Sequence, residues 1–257
     1  MDSLFRITSP VFSIITVTFN AEKSLERTIR SVIDQTYKGI EYIIIDGASK
    51  DGTVNIIRRY ESRIKNWISE QDKGIYDAMN KGLSAATGDY VWFLNAGDVL
   101  KHKDVVAELS EIAFRNNLPD ILYGETDLMD RKWQVFAERR LKTPEKLNWE
   151  SFKMGMLVCH QAFIVKRSIA PEFDLQYRFS SDFDWCIRCM KEAKSIVNSQ
   201  QRVVNYQYEG STTANRKDSL RERYKIMYHY YGAIPTQIRH LWFAVRFYWA
   251  KTFKNNC

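Results

Sequence analysis

The sequence predicts an α/β fold in which a mostly parallel sheet carries helices on both faces, and two observations lead to this prediction. Four short apolar segments rich in β-branched residues occur within the first hundred residues. Three of them are each followed by a segment in which apolar residues recur at helical spacing. Because the strands are continuously apolar, both faces of the sheet need cover, which indicates a parallel arrangement.

The elements of this first half are expected to alternate as strand and helix. In the first helical segment, Leu25, Ile29 and Val32 fall on one face. Ser49 or Asp51 is placed to cap the second helix, because both residue types accept hydrogen bonds from a helix N-terminus. The predicted strands are residues 11–20, 40–47, 64–70 and 89–95, and the predicted helices are residues 21–37, 49–62 and 75–86.

The second half departs from this regular order. Two segments typical of strands are joined by a short turn, which suggests a hairpin or a smaller mixed sheet. An amphipathic helix lies between further strand segments, the last of which contains one or two strands. The predicted strand segments are residues 120–129, 133–140, 159–166 and 195–210, and the predicted helix is residues 180–193.

The end of the chain differs in composition from the domain expected at residues 1–215. From residue 216 onward, Arg and Lys are interleaved with Tyr, Trp and Phe. We expect two helices in residues 216–257, separated near Pro235. A short helix that mixes aromatic and basic residues can lie in a membrane interface, so a membrane surface is an expected partner of residues 236–254. The alternative is a helix packed on the domain with its basic face in water.

Charge and cysteine content narrow the class of protein. The formal net charge of +7 suits nucleic acid, an anionic membrane or phosphorylated substrates. The basic residues gather at one end without a recognition motif, so we expect no nucleic acid. Four cysteines are too few for a disulfide framework, and the C-x-x-C of Cys186 and Cys189 lacks the second pair that a zinc site needs. With no signal peptide or membrane-spanning run, we expect a cytoplasmic protein with reduced thiols.

Candidate functional residues follow the predicted strands. In open parallel sheets, ligands bind beyond the carboxyl ends of the strands. Taken singly, each candidate has a structural explanation: Asp46 as a turn residue, Asp72 as a helix cap, and Asp98 as a turn or cap. Their occurrence together at four strand ends instead indicates a ligand site. The stretches concerned are residues 18–20, 46–49, 70–73 and 95–98.

Longer strings around these positions carry a family resemblance. The chain contains SIITVTFNAEKSLERTIRSVIDQTY, EYIIIDGASKDGT and SEQDKGIYDAMNKGLSAATGDYVWFLNAGD, followed by GMLVCHQAFIVKR and YRFSSDFDWCIR. In this order they cover most of residues 12–190 and resemble the family 2 glycosyltransferases, whose GT-A fold is a Rossmann-like α/β sheet. The resemblance implies transfer of a sugar from a nucleotide-diphosphate sugar. It is greatest to bacterial enzymes of exopolysaccharide, capsule and lipopolysaccharide biosynthesis.

The resemblance implies donor-side roles for the strand-end residues. Thr18, Asn20 and Asp46 would line the pocket for the base and ribose. Asp72 would help to close the site over the nucleotide and sugar. Asp98 would be the surviving carboxylate of the metal motif.

The metal motif is where the sequence departs from the family pattern. The family has Asp-x-Asp, whereas residues 95–98 are Asn-Ala-Gly-Asp. Asn95 keeps a neutral oxygen that can meet a hard cation, while Gly97 contributes no ligand. We therefore expect Mg²⁺ or Mn²⁺ to bind mainly together with the nucleotide donor, whose diphosphate adds oxygen ligands to Asp98.

On the acceptor side, the resemblance implies that Asp182 is the catalytic base of an inverting transfer. The acceptor hydroxyl must lose a proton as it attacks the anomeric carbon opposite the leaving group. Asp184 is the alternative base, although two residues along a helix it should point elsewhere. His160 and Gln161, on the predicted strand 159–166, should pass near the donor sugar. His160 is a candidate metal ligand or sugar partner, or else a structural histidine.

The sequence thus predicts a nucleotide-sugar-binding half at about 10–106 and an acceptor-side half at about 107–215. The expected acceptor is a lipid-linked glycan at the inner face of the cytoplasmic membrane, where the protein would be peripheral. Two alternatives stay open. A degenerate nucleotide-sugar binder would explain the missing acids at 95 and 97. A nucleotidyltransferase should carry a glycine-rich basic phosphate loop after the first strand, which TVTFNAEKS lacks.

Overall fold

The computed structural model describes residues 9–130, 132–208 and 215–254 of the chain. These residues contain nine strands, seven α-helices and four short 3-10 helices. The strands are β1 (Phe12–Thr18), β2 (Ile40–Asp46), β3 (Asn66–Ser69), β4 (Tyr90–Phe93), β5 (Val99–Leu100), β6 (Ile121–Met129), β7 (Val135–Glu138), β8 (Phe163–Lys166) and β9 (Ile196–Gln207). The α-helices are α1 (Leu25–Ile33), α2 (Thr53–Arg59), α3 (Ile75–Ala85), α4 (Val105–Arg115), α5 (Ser181–Glu192), α6 (Arg216–Tyr231) and α7 (Ala233–Lys254).

All nine strands belong to one sheet with the order β3-β2-β1-β4-β8-β6-β9-β5, and β7 pairs with β6. Strands β1 to β4 are mutually parallel, as the first half of the sequence predicts. Strand β8 runs antiparallel between β4 and β6, so it joins the two halves of the chain edge to edge. The acceptor-side strands therefore continue the first sheet as its mixed part, and β6 and β7 form the hairpin that the sequence suggests.

The two faces of the sheet bury two separate apolar clusters, because alternate residues of a strand point to opposite faces. Ile15, Ile43 and Phe93 pack with α3 and α5 on one face. Ile14 and Trp92 pack with α1, α2 and α4 on the other face. Each of these side chains is at most 1% exposed, and burial of one such side chain contributes about 1.5–3 kcal/mol. The helices predicted on both faces are confirmed.

Helix α4 and the C-terminal helices show where the sequence prediction is incomplete. The helix is absent from the predicted elements, although Val105, Leu109 and Ala113 are buried along one side. It also spans the expected division of the domain near residue 106. The C-terminal helices separate at Gly232 and not at Pro235, which lies in the first turn of α7, where a missing N–H costs no helix bond. Among the described helices, none has the length and apolar character needed to cross a membrane.

Candidate active site

Polar residues from four strand ends meet at one edge of the sheet. Thr18 ends β1 and pairs with Asp46, the last residue of β2, which pairs in turn with Ser69 at the end of β3. The loop after β4 is attached to the same edge, because the backbone N–H of Ala96 donates to the carbonyl of Val17 at 3.2 Å. The parallel register thus collects the predicted stretches, as the strand-end argument expects.

Asp46 is fully buried, and its carboxylate organises the turn after β2. Its Oδ1 atom accepts from Ser49 Oγ at 2.5 Å, and its Oδ2 atom accepts from the Ser49 N–H at 3.0 Å and from Ser69 Oγ at 2.6 Å. The structure therefore gives Asp46 the turn-forming role, while contact with a nucleotide stays a prediction. Ser49 does not cap α2; the Asp51 carboxylate instead accepts from the N–H of Thr53, the first residue of the helix, at 3.0 Å.

Thr18 and Asn20 lie at the start of the loop after β1. Thr18 is buried, and its Oγ1 atom has no hydrogen-bond partner among the described residues. Asn20 is exposed, with a left-handed φ of 47°, and its Oδ1 atom accepts from the Lys50 N–H at 2.9 Å. The Asn20 N–H donates to Ser49 Oγ at 2.8 Å. The loops after β1 and β2 are therefore joined, and contact of Thr18 with a nucleotide stays a prediction.

Asp72 lies against the turn after β2, but it does not cap helix α3. The helix begins at Ile75, and the Asp72 Oδ1 atom accepts from the N–H of Gly74 at 2.8 Å. The other carboxylate oxygen occupies the space in which a side chain on Gly47 would lie. Asp72 is half-buried and reaches the residue next to Asp46.

Asp98 closes the loop of residues 95–98, here called the N-A-G-D loop, and is 3% exposed. Its Oδ2 atom accepts from Gln161 Nε2 at 3.0 Å, and its Oδ1 atom accepts from the backbone N–H of Gln207 at 2.9 Å. Burial raises the pKa of Asp98 to about 6, although these hydrogen bonds act in the opposite direction. A nearby cation would stabilise the charged form of this poorly hydrated carboxylate.

Gly97 gives the N-A-G-D loop its shape. Its φ of 107° is in a region that residues with a side chain rarely adopt. A Cβ atom at this position would also collide with Oε1 of Gln207. The Gly97 N–H donates to Thr28 Oγ1 at 2.9 Å, which fixes the loop on α1. The residue that replaces an acidic position of the family motif is therefore required by the backbone.

Asn95 supplies a second side-chain oxygen in the same loop as Asp98. Its Nδ2 atom lies 3.3 Å from His160 Nε2, while its Oδ1 atom is buried and, within the described part of the chain, unpaired. The described residues contain no group of three or more His, Cys, Asp or Glu side chains arranged to hold a metal ion. One carboxylate and one unpaired amide oxygen nevertheless fit a Mg²⁺ or Mn²⁺ ion that takes its other ligands from a diphosphate.

Asp182, in the first turn of α5, is 9% exposed and contacts two side chains from elsewhere in the fold. The Tyr76 hydroxyl donates to its Oδ1 atom at 3.0 Å, and His160 Nδ1 lies 3.2 Å from its Oδ2 atom. Burial alone would raise the pKa of Asp182, but the hydrogen bonds from His160 and Tyr76, with the charge of Arg223, hold this pKa below its usual range. The carboxylate is therefore charged at neutral pH, the state that a general base requires.

Asp184 has different surroundings, although it is only two residues from Asp182. Its Oδ2 atom accepts from Arg188 Nε at 2.7 Å, and its Oδ1 atom accepts from the Tyr230 hydroxyl at 2.8 Å. The Arg188 contact is within α5, and the Tyr230 contact joins α5 to α6. The arrangement favours Asp182 over Asp184 as the base.

His160 and Gln161 lie on a 3-10 turn, so the strand predicted at 159–166 is wrong in its first half. The turn covers His160–Ala162, and β8 begins at Phe163, the first residue that pairs with β6. His160 and Gln161 are not paired with β6, and their polar side chains contact the site instead. Gln161 contacts two groups. Its Oε1 atom accepts from the Cys159 thiol at 2.6 Å, and its Nε2 atom donates to the Asp98 carboxylate.

Sequence reasoning does not single out Tyr76 or Gln207. Tyr76 lies within the string DKGIYDAMNKG, but its partner Asp182 is 106 positions away, and no local pattern indicates the pair. Gln207 reaches Asp98 with its backbone N–H, a group that every residue except proline has. Only the folded sheet places these donors at the site.

Comparison with known proteins agrees with this fold. The model of Glycosyl transferase family 2 matches residues 13–171. An uncharacterized glycosyltransferase of Mycobacterium tuberculosis is 35% identical over 185 residues, covering 70% of this chain and 69% of that protein. A PGL/p-HBAD biosynthesis glycosyltransferase of the same species is 29% identical over 203 residues, covering 76% of each protein.

Solved structures share the architecture at low sequence identity. The S. aureus TarS fragment 1–349 in complex with UDP-GlcNAc has a TM-score of 0.67 and 17% identity, covering 84% of this chain and 64% of the fragment. The chain thus spans less than two thirds of that fragment. The mannosyltransferase PcManGT from Pyrobaculum calidifontis, in complex with GDP-Man and Mn²⁺, has a TM-score of 0.64 and 16% identity, covering 91% of this chain and 69% of that protein.

The sheet, its flanking helices and these matches define a glycosyltransferase with a GT-A fold. The chain belongs to glycosyltransferase family 2, and it is therefore a sugar-transferring enzyme. The family resemblance seen in the sequence is confirmed.

Proposed function

We propose that this enzyme transfers a sugar, with inversion at the anomeric carbon, from a nucleotide-diphosphate sugar to a hydroxyl of a glycan. The observation that carries the proposal is the series of contacts from Asp182 through His160 to Asn95. It leaves a charged, buried carboxylate one imidazole ring away from the N-A-G-D loop. A sugar held at that loop would lie within reach of Asp182.

The bond changes of this reaction give Asp182 its role. The acceptor oxygen forms a bond to the anomeric carbon while the bond from that carbon to the diphosphate oxygen breaks. The hydroxyl proton moves to the Asp182 carboxylate, and the electron pair of the broken bond leaves with the nucleoside diphosphate. A bound Mg²⁺ or Mn²⁺, held by Asp98 and Asn95, would supply charge neutralisation for the leaving diphosphate.

The donor would lie across the loops after β1, β2 and β4. On the nucleoside side, the exposed Asn20 would meet the donor, and Thr18, whose buried Oγ1 has no partner within the described residues, would lie behind it. Asp46, whose oxygens are occupied, would act by holding Ser49 and Ser69 in place. Solved GT-A neighbours are complexes with UDP-GlcNAc, UDP and GDP-Man, which supports a donor of this class.

The sugar and diphosphate would lie between Asp72 and the 3-10 turn. Asp72 reaches the edge from the loop after β3, where its carboxylate lies against Gly47, and Gln161 reaches it by its hydrogen bond to Asp98. His160 lies between Asn95 and Asp182. The Gln161 amide at this place suits hydrogen bonds to sugar hydroxyls.

We further propose a lipid-linked glycan of bacterial surface polysaccharide biosynthesis as the acceptor, met by a peripheral enzyme at the inner face of the cytoplasmic membrane. One face of α7 supports this. Residues 233–254 contain four Arg or Lys residues and no Asp or Glu. An exposed apolar stripe on a basic helix suits an interface with anionic headgroups. The stripe consists of Ile234, Ile238, Leu241, Trp242 and Val245, which are 48–71% exposed and recur at helical spacing.

A screen of nucleotide sugars tests the proposed reaction. Uridine, guanosine and thymidine diphosphate sugars are offered with Mg²⁺ or Mn²⁺, and binding is measured by thermal shift while release of the nucleoside diphosphate is measured by a coupled assay. We expect one donor class both to bind and to turn over, slowly with water as acceptor and faster with a glycan. A wild-type enzyme that binds a donor but never releases the diphosphate would favour the degenerate binder.

A further inference from the structure

Both carboxylate oxygens of Asp182 are engaged by side chains from two other elements. Tyr76, in the first turn of α3, donates to Oδ1 at 3.0 Å. His160, on the 3-10 turn before β8, places Nδ1 3.2 Å from Oδ2. The side chains of His160 and Asp182 are only 12% and 13% exposed. The carboxylate is therefore held from two sides in surroundings that contain little water.

The ring of His160 is fixed by the partners of its two nitrogens. A neutral imidazole donates from one nitrogen and accepts at the other. Donation from Nδ1 to Asp182 leaves Nε2 to accept from Asn95 Nδ2, 3.3 Å away. Each contact therefore supports the other. Rotation of the ring would break the link to the base and the link to the N-A-G-D loop together.

Tyr76 is fixed by aromatic packing. It is 7% exposed, and its ring stacks on Phe173 with 5.6 Å between centroids and 20° between planes. Phe173 stacks in turn on Trp185 of α5, with 4.9 Å between centroids. Burial raises the pKa of the Tyr76 hydroxyl far above its usual value, so the hydroxyl stays protonated and can only donate to the carboxylate.

We propose that Tyr76 and His160 are positioning residues that hold the Asp182 carboxylate in its reactive orientation, and that His160 also couples this carboxylate to the N-A-G-D loop. The proposal rests on the proposed function, in which Asp182 is the base. Neither residue needs to touch the sugar, because both act through Asp182. A misplacement of about 1 Å in a reacting group can cost about 100-fold in rate, so the orientation of a carboxylate is a sensitive quantity.

Two replacements of His160 separate its two contacts. In His160→Asn, the side-chain amide lies near the former Nδ1 position and can still donate to Asp182. In His160→Gln, the amide extends toward the former Nε2 position and loses that donation. With the donor found in the screen, we expect kcat to fall by about tenfold or more in the Gln variant and by less than about threefold in the Asn variant, with the donor KM nearly unchanged.

The opposite pattern would overturn this role. Equal loss of kcat in both variants would show that the Nδ1 contact does not matter. An unchanged kcat with weaker binding of UDP and Mn²⁺, measured by calorimetry, would instead identify His160 as a metal or donor ligand. Either result contradicts positioning through Asp182.

The hydroxyl of Tyr76 is tested with a matched control. Tyr76→Phe removes only the donor to Asp182, and we expect kcat to fall by about tenfold at an unchanged donor KM. Tyr90→Phe removes another buried hydroxyl, which donates to the carbonyl of Pro119 at 2.7 Å, and should leave kcat unchanged. An unaffected Tyr76→Phe enzyme, or a loss that Tyr90→Phe shares, would contradict the proposal.

A double-substitution cycle distinguishes failure of this proposal from failure of the proposed function. If Tyr76 and His160 act through Asp182, adding Tyr76→Phe or His160→Gln to Asp182→Asn should lower the residual kcat by less than about twofold. Losses that multiply would show that the residues act independently of Asp182. Full activity of Asp182→Asn alone would instead refute the base itself. If residual turnover is too slow to measure, the single substitutions above decide the matter.

Discussion

The Nδ1 atom of His160 lies 3.2 Å from Oδ2 of Asp182, and the other nitrogen of the same ring lies 3.3 Å from Nδ2 of Asn95. Three residues that are far apart in the chain are therefore joined by one imidazole. The ring links the proposed base to the loop proposed to hold the diphosphate.

Restoring an acid at position 95 should strengthen metal binding. Asn95 offers one amide oxygen that has no hydrogen-bond partner in the described part of the chain, and Asn95→Asp replaces it with a carboxylate in the same loop as Asp98. We expect the variant to bind Mn²⁺ measurably without a nucleotide, whereas the wild type binds it only together with UDP. Isothermal titration with each enzyme, with and without UDP, measures this. Asn95→Ala is the control and should bind less Mn²⁺ with UDP; tight binding of Mn²⁺ by the wild type alone would contradict the account.

Gly97→Ala should disturb the N-A-G-D loop, whereas the same change at Gly155 should not. Gly97→Ala introduces both backbone strain at φ 107° and a collision with Gln207. Gly155 has a similar φ of 95°, but an added Cβ atom there would meet only Leu141, at 4.0 Å. Strain of this kind costs about 1–3 kcal/mol. The Gln207 carboxamide can rotate away from the added Cβ atom, so we expect Gly97→Ala and Gly155→Ala to lose similar amounts of unfolding free energy in urea titrations. Only Gly97→Ala should weaken binding of UDP with Mn²⁺; unchanged binding by Gly97→Ala would contradict the role of the loop.

Glu41 should make stability depend on acid pH. The carboxylate accepts from Ser13 Oγ at 2.5 Å, from the N–H and hydroxyl of Thr87 at 2.7 Å each, and from the Gly88 N–H at 3.2 Å. Burial opposes the charged form, but these hydrogen bonds outweigh it and lower the pKa of Glu41 below the ordinary 4.5. A lowered folded pKa gives stability that is fully present above pH 4.5 and is lost as pH falls through the folded value.

The comparison is between Glu41→Gln and Glu192→Gln, which changes an exposed glutamate. We expect Glu41→Gln to cost about 1–3 kcal/mol of unfolding free energy at pH 7, and this gap from the wild type should narrow below pH 4.5. Glu192→Gln should show no such gap. Urea titrations across this pH range give the values. A difference in unfolding free energy that grew as the pH fell would contradict the lowered pKa of Glu41.

The apolar stripe of α7 should bind anionic membranes. Leu241 and Trp242 are 69% and 51% exposed, and replacing both with Glu removes apolar surface and adds negative charge. We expect the wild type to sediment with phosphatidylglycerol vesicles and less with phosphatidylcholine vesicles, and the double variant with neither. Phe114→Glu changes an exposed aromatic residue of α4 and is the control. Retained vesicle binding by the double variant would show that the apolar stripe of α7 is not the membrane-binding surface.

The strand ends could be predicted because they depend on local patterns and on one topological rule. Continuous apolar runs identified β1 to β4, and their parallel order brought Thr18, Asp46 and the N-A-G-D loop to one edge. The path of β8 could not be predicted in the same way. Its antiparallel insertion between β4 and β6 depends on pairing between residues far apart in the chain, such as Tyr90 with Lys166.

The hydrogen-bond partners of the site residues could not be predicted from the sequence, for a different reason. Asp46 and Asp98 are both buried carboxylates after strands, yet Asp46 accepts from Ser49 and Ser69, whereas Asp98 accepts from the Gln161 amide and the Gln207 backbone. The fold decides which donors reach each carboxylate, so this difference is a property of the tertiary structure. The partnership of Tyr76 with Asp182 was hidden for the same reason.

The most direct test of the central claim is the turnover of a nucleotide-sugar donor by Asp182→Asn, compared with the wild type and with Asp184→Asn. Loss of a general base typically lowers the rate about 10²–10⁴-fold, and we predict a fall of this size in kcat for Asp182→Asn, with unchanged binding of UDP and Mn²⁺. Asp184→Asn, checked for folding, should keep its kcat within a few-fold. An Asp182→Asn enzyme within about tenfold of the wild type, or an equal loss in Asp184→Asn, would contradict the account.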